Sequence, residues 1–184
     1  MGTTVRQQRD LRDASLSLFG EGPNYPMYYV NYTEALEFCR RLSSATGKRY
    51  TLPTEAQWEY AARGGQRANG TIFTYSGSNI IDNVAWYSGN SSNQTHPVKQ
   101  KAANQLGLYD MTGNVYEWCL DWSSGSYYRS SPQNNPQGPS SGQKRVTRGG
   151  SCGYNASGCR VANRTCSTPS NRYNNQGFRV VCLP

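Results

Sequence analysis

The chain predicts an α+β domain in which two helices are followed by short β-strands joined by long irregular connections. Three observations predict it. Residues 31–65 hold two runs with helical periodicity and capping residues. The chain beyond Gly65 is rich in Gly, Asn, Ser, Tyr and Trp and offers only short strand-like runs. Four Trp and fourteen Tyr supply large buried surfaces, which disordered chains lack.

In the first helix Ala35, Phe38, Cys39 and Leu42 recur at i, i+3, i+4 and i+7. Asn31 is placed to cap the first turn, Glu34 stands at its third position, and Gly47 ends a run of about 13 residues. The second begins at Thr54, which Gln57 answers three residues later. It continues through Ala56, Trp58, Tyr60 and Ala61, with its aromatic face expected in the core, and stops at Gly64 and Gly65. Strands are expected within Val115–Leu120, Arg145–Arg148 and Phe178–Cys182. Ser123–Gly142, with three Pro among Ser, Gln and Asn, reads as a long surface loop.

With 184 residues, 35% hydrophobic and 16% charged, the chain suits one domain. Its longest apolar runs are only a few residues and its mean hydropathy is −0.79, so a membrane-spanning helix is excluded. Met1–Gly20 is charged and has no apolar centre of secretory type, so no signal peptide is read there. Residues 1–121 carry 11 basic and 11 acidic side chains, whereas residues 122–184 carry 8 basic and none acidic. Fifteen of the 19 basic residues are Arg, which favours planar hydrogen bonding over diffuse attraction to phosphate and makes nucleic acid an improbable partner. Cys39 and Cys119 read as buried free thiols. Cys152, Cys159 and Cys166 lack a CxxC spacing and a nearby histidine, which argues against zinc. Serine–histidine catalysis would rest on His96 alone, in a polar turn before Pro97.

Three segments carry a resemblance: Arg49-Tyr-Thr-Leu-Pro-Thr-Glu-Ala-Gln-Trp-Glu-Tyr-Ala-Ala-Arg-Gly-Gly65, Asn104-Gln-Leu-Gly-Leu-Tyr-Asp-Met-Thr-Gly-Asn-Val-Tyr-Glu-Trp118, and Arg148-Gly-Gly-Ser151 with Gly177-Phe-Arg179. Together they resemble the formylglycine-generating-enzyme, or sulfatase-modifying-factor, domain over roughly Tyr25 to Leu183. The resemblance implies a variant of the C-type lectin fold over residues 25–184, with residues 1–24 as an N-terminal extension packing on it. In those enzymes two cysteines five positions apart bind copper and activate oxygen. Here Cys159 falls at the second position and Tyr154 at the first, so the two-sulfur Cu(I) site is incomplete; no copper and no catalysis are expected.

The stretch Arg148–Arg179 further resembles the variable region of proteins diversified by retroelements, in which error-prone copying at adenines rewrites Asn codons. The framework of that pattern is met by Arg148, Gly149, Gly150, Ser151, Cys159, Arg160, Asn163, Arg164, Pro169, Arg172, Gly177, Phe178 and Arg179. It leaves Gly153, Tyr154, Asn155, Gly158, Thr165, Cys166, Ser167, Thr168, Asn171, Tyr173, Asn174 and Asn175 as the variable, ligand-contacting positions. All twelve belong to the set that adenine changes in AAC or AAT allow. Tyr, Ser, Gly and Asn are also what adaptable binding surfaces use, and Arg160, Arg164 and Arg172 are expected to hold the backbone while their neighbours vary.

The same resemblance implies a structural Ca²⁺ on Asp110, the carbonyls of Gly113 and Val115, and Glu117, a hard oxygen set from one turn. A second family site would begin at Asn83 and Val84, but its remaining loop is short near Ser88–Gln94. The expected function is therefore a non-catalytic receptor or adhesin. Residues 152–176 would face a protein or other surface molecule of a host or neighbouring cell, with the chain displayed on a cell surface or phage particle. The alternative is a fixed-sequence domain, structural or acting as a residual thiol/copper oxidase through Cys159 with Cys152 or Cys166.

Overall fold

The computed structural model describes residues 4–184. Helix α1 (Val5–Asp10) precedes α2 (Tyr32–Thr46), strand β1 (Arg49–Thr51), α3 (Glu55–Ala62) and the single turn α4 (Ile81–Val84). Then come β2 (Tyr116–Trp122), β3 (Arg145–Arg148), β4 (Arg164–Ser167), β5 (Gln176–Phe178) and β6 (Val181–Leu183). Both expected helices form with the expected caps. Asn31 Oδ1 accepts from the Glu34 N–H at 2.9 Å and Glu34 Oε2 from the Asn31 N–H at 2.9 Å. Thr54 and Gln57 exchange the same pair of bonds at 3.2 and 2.9 Å. The short helices α1 and α4 come in addition to those two, and α1 opens with the same device, Thr4 with Gln7.

A four-stranded sheet has the order β4-β3-β2-β5, with β5 parallel to β2, and β1 pairs antiparallel with β6 in a second sheet. The run expected as one strand, Phe178–Cys182, is thus divided between two sheets. The break falls at Arg179, whose guanidinium is committed to Glu117. Residues 123–142 cross the surface with one 3₁₀ turn at Tyr127–Arg129. They close where the Ser123 N–H donates to the Lys144 carbonyl at 2.7 Å.

Alternation along β2 distributes the core. Trp118 packs with Tyr32, Ala35, Cys39 and Leu52 beside α2, whereas Cys119 packs with Trp58, Ala62, Met111 and Val146 beside α3. The aromatic face expected of α3 is only half present: Trp58 is 1% exposed and Tyr60 is 55% exposed. Two residues apart on a helix means about 200° apart, so both cannot face the core. Val5, Leu16, Leu18 and Phe19 pack on Tyr28, Tyr29 and Val115. The first three residues of the expected extension lie outside the described residues.

Gly150 fixes the approach of β3 to the segment that follows. It sits at φ +76, and a Cβ there would lie 2.5 Å from Cys159 Sγ and 2.8 Å from Cys159 Cα. Gly150→Ala is expected to lower unfolding stability by about 2 kcal/mol or more, read from the denaturant midpoint.

Candidate ligand-binding face

The end of the chain is held by arginines bonded to glutamates of the first helices. Arg148, last in β3 and 1% exposed, donates through Nη2 to Glu59 and through Nη1 to the Asn163 carbonyl at 2.8 Å. Arg164 stands opposite it in β4 and donates from Nε to Glu55 Oε1 at 2.7 Å and from Nη1 to the Ser124 carbonyl at 3.2 Å. Glu55 is the first residue of α3, where the helix dipole favours a carboxylate. Arg172 grips Glu34 with two bonds, at 2.7 and 3.1 Å. Arg160 departs from expectation. It is exposed and bonds only the local Ser157 carbonyl at 3.0 Å, so it braces its own turn and no distant element.

None of the twelve candidate variable residues is buried, whereas Arg148, Gly149, Gly150, Ser151, Cys159 and Gly177 of the framework are. Gly153, Tyr154 and Asn155 form an exposed turn. Thr165, Cys166 and Ser167 lie on β4, the edge strand, and Thr168, Asn171, Tyr173, Asn174 and Asn175 on the return to β5. That return is tied down through main-chain oxygens. The Tyr32 N–H donates to the Pro169 carbonyl at 3.0 Å, the Tyr29 N–H to that of Tyr173 at 3.0 Å, and the Tyr116 N–H to that of Asn175 at 2.8 Å. A carbonyl is present whatever the side chain, so these anchors survive substitution of the residues that supply them.

Tyr154 and Asn175 meet around Tyr116, whose ring stands edge-on to Tyr154 at 5.1 Å. Asn171 Nδ2 donates to Tyr173 Oη at 2.7 Å. No side-chain hydrogen bond or ring contact among the described residues joins Thr165 or Cys166 to these groups. Three candidates also do structural work, the first being Ser167, whose Oγ donates to Oε1 of the buried Gln176 at 3.0 Å. Asn155 Oδ1 caps the 3₁₀ turn Ala156–Cys159 by accepting from the Gly158 N–H at 3.1 Å, and Asn175 Nδ2 donates to Ser151 Oγ at 3.3 Å.

On another turn Asp110, Val115 and Glu117 line a cavity of about 450 Å³ with Met27, Val98, Lys99, Tyr109 and Arg179, whereas Gly113, the remaining residue of the expected set, is not in its lining. Asp110 Oδ2 accepts from the Lys99 N–H at 2.9 Å, while Oδ1 is buried with no hydrogen-bond partner among the described residues. Burial pushes this carboxyl above its usual range; the Lys99 N–H and Arg179 oppose the rise and Glu117 adds to it. Glu117 is more fully engaged. Oε2 accepts from Trp58 Nε1 at 2.6 Å and Arg179 Nε at 2.9 Å, and Oε1 from Arg179 Nη2 at 2.8 Å. No group of three or more His, Cys, Asp or Glu among the described residues could hold a metal with side chains alone. A buried carboxylate oxygen without a hydrogen-bond partner is nevertheless a kind of donor that a hard cation uses. Asn83 and Val84, the start of the second implied site, lie in α4, where the Asn83 carbonyl accepts from the Ala102 N–H at 2.8 Å.

Comparison with known proteins follows from this geometry. The model of the sulfatase-modifying factor enzyme 1-like domain matches residues 2–183. The chain belongs to this family. The domain is 40% identical over 175 residues to the formylglycine-generating enzyme of Streptomyces coelicolor, covering 86% of this chain and 53% of that one. It spans about half the length of the curated relatives it matches. Among solved structures, Treponema denticola variable protein 1 superposes with a TM-score of 0.80 at 31% identity, covering 99% of this chain and 82% of the other. PvdO from Pseudomonas aeruginosa superposes with a TM-score of 0.78 at 27% identity, covering 98% and 77%. The C-type lectin fold of the formylglycine-generating type, expected from the sequence, is the fold of this domain.

At the family's paired-cysteine positions this sulfatase-modifying-factor domain carries exposed Tyr154 and buried Cys159. Cys159 Sγ lies 3.8 Å from the Ser151 carbonyl oxygen and 4.0 Å from that of Tyr154. Burial pushes its thiol up to about 11, and that of Cys152 likewise. Both are protonated at neutral pH. His96 stacks on Trp86 at 3.8 Å and meets the Ser91 carbonyl through Nε2 at 3.0 Å.

Arg164→Ala leaves the buried Glu55 one ion pair among the described residues, to Arg148 Nε at 3.7 Å, and is expected to cost about 2 kcal/mol, whereas Tyr173→Ala is expected to cost less than about 1 kcal/mol. Thermal melts of the two variants check the order.

Proposed function

We propose that this domain is a non-catalytic receptor or adhesin. Its residues 152–176 form a binding face diversified by adenine-directed retroelement mutagenesis, and its ligands are proteins or other surface molecules of a host or neighbouring cell. The observation that carries this reading is the division of labour on the face. Positions expected to change contribute main-chain carbonyls and partly exposed side chains, and positions expected to stay contribute buried glycines and ion-paired arginines. The resemblance to diversified proteins and the likeness to a structure named as a variable protein support it. Display on a cell surface or phage particle belongs to the same proposal. Deep sequencing of the gene from a source population, with its downstream DNA, tests it. Codon changes confined to residues 152–176 beside an invariant template repeat are expected, and a uniform sequence without a template returns the chain to a fixed domain.

The identity to enzymes named for formylglycine generation favours one other reading, a fixed thiol/copper oxidase using Cys159. Protonated, buried thiols and a tyrosine in place of the first cysteine weigh against it. Copper titration with a thiol-containing peptide separates the two: no copper-dependent oxygen uptake is expected.

Calcium is proposed as a structural ion on Asp110, Glu117 and the carbonyls of Gly113 and Val115, where it would neutralise the open Asp110 oxygen. Added Ca²⁺ is expected to raise the melting temperature and chelator to reverse it. Asp110→Asn is expected to remove that response while melting above the chelated natural chain, because it deletes a buried carboxylate that burial destabilises.

A further inference from the structure

The N-terminal segment enters the variable face at one residue. Arg12 lies with its guanidinium carbon 5.8 Å from the centre of the Tyr29 ring and 5.7 Å from that of Tyr173, and its Nη1 donates to the Arg172 carbonyl. Two cation–π contacts and a main-chain bond hold the guanidinium in place, and the nearby Asp13 carboxylate offsets its charge only through space. Among the described residues no carboxylate pairs with it, and Oδ1 of adjacent Asp13 is taken by the Ser15 N–H and hydroxyl at 2.9 and 2.7 Å. Arg12 lines a cleft of about 280 Å³ with Ser170, Asn171, Arg172 and Tyr173. Arg172 uses Nε and Nη2 on Glu34, which leaves Nη1 without a hydrogen bond among the described residues. The lining therefore carries two guanidiniums, Arg172 paired with Glu34 and Arg12 offset in part by Asp13 from outside the cleft, together with hydroxyl and amide groups.

We propose that this cleft binds an oxyanion, a carboxylate or a tetrahedral sulfate or phosphate group, and that Arg12 is a permanent anchor for it inside a changing surface. The proposal rests on the ligand-binding reading above and adds the chemistry of the ligand. A planar guanidinium edge presents paired N–H donors that match two oxygens of such a group. Arg12 and Arg172 both lie outside the twelve variable positions, so every variant keeps the charge while Asn171 and Tyr173 alter what surrounds it. Charge on the face would then attract acidic surfaces in general, and the variable neighbours would select among them.

The test is NMR titration of the full chain with sodium sulfate and separately with sodium acetate, chloride holding the ionic strength constant. Saturable shifts at Arg12 Nε and the Asn171 side-chain amide are expected with at least one probe. The tighter probe identifies the tetrahedral or the planar anion. Arg12→Ala is expected to weaken binding about tenfold or more, the worth of a charge-assisted hydrogen bond, and Arg12→Lys less. Because Arg12 also holds the loop, Asn171→Asp gives a second arm: it keeps Arg12 and its stacking, and is expected to abolish binding without lowering the melting temperature. Shifts that do not saturate with either probe, or an Arg12→Ala affinity within about twofold of the natural chain, would overturn the proposal. The two readings fail separately. Codon diversity without anion binding removes the cleft alone, and anion binding in a uniform gene removes the diversified face alone.

Discussion

Arginines from the last forty residues of the chain reach back to glutamates that precede them: Arg148 to Glu59, Arg164 to Glu55, Arg172 to Glu34 and Arg179 to Glu117. The charge split along the sequence, acids only before residue 122 and an unopposed basic tail, is the linear image of these pairs. Taking such charges out of water costs much of what their attraction returns, so their main effect is on specificity: a wrong register would leave a carboxylate stranded in the interior. Glu117 shows this most fully. One carboxylate orients the indole of Trp58 in α3 and the guanidinium of Arg179 after β5, and thereby fixes where the four-stranded sheet ends.

With the frame set by ion pairs, most of the stretch between β3 and β5 lies outside the core, with Cys152, Cys159 and Val161 as its buried hydrophobic exceptions. Its fixed points are glycines that no larger residue can replace, arginines bound elsewhere, and main-chain oxygens that accept from Tyr29, Tyr32 and Tyr116. The twelve exposed or half-buried side chains there add little to the core. Asn155 and Asn175 mark the limit of that freedom, since each uses its amide on a neighbouring turn. Small polar replacements that still accept or donate at those sites keep the turns, and bulky ones must release them.

Local rules made α2 and α3 legible, because a capping box and a 3.6-residue period are properties of adjacent residues. The same rule would have found α1, whose Thr4 and Gln7 repeat the Thr54–Gln57 spacing, but six residues carry too little periodicity to stand out. Strand β4 was hidden for another reason. Arg164–Ser167 alternates weakly, and its pairing is dictated by β3 across a tertiary contact. Tyr60 was misplaced by grouping aromatics without regard to helix angle. The framework arginines Arg164 and Arg172 were legible as backbone anchors, and both form ion pairs. Arg12 was not, for nothing near it in sequence indicates that it meets Tyr173 across the fold.

The two strands that close the domain, β1 and β6, come from its opposite ends and pair residue for residue, Arg49 with Leu183 through Thr51 with Val181. Contacts so distant in sequence are slow to form, because the intervening loop must be ordered first. Of the described elements β6 is synthesised after all the others, and residues 152–176 come before it. Closure of this small sheet therefore waits on the ordering of everything between Thr51 and Val181, and a disturbance anywhere in that span delays it.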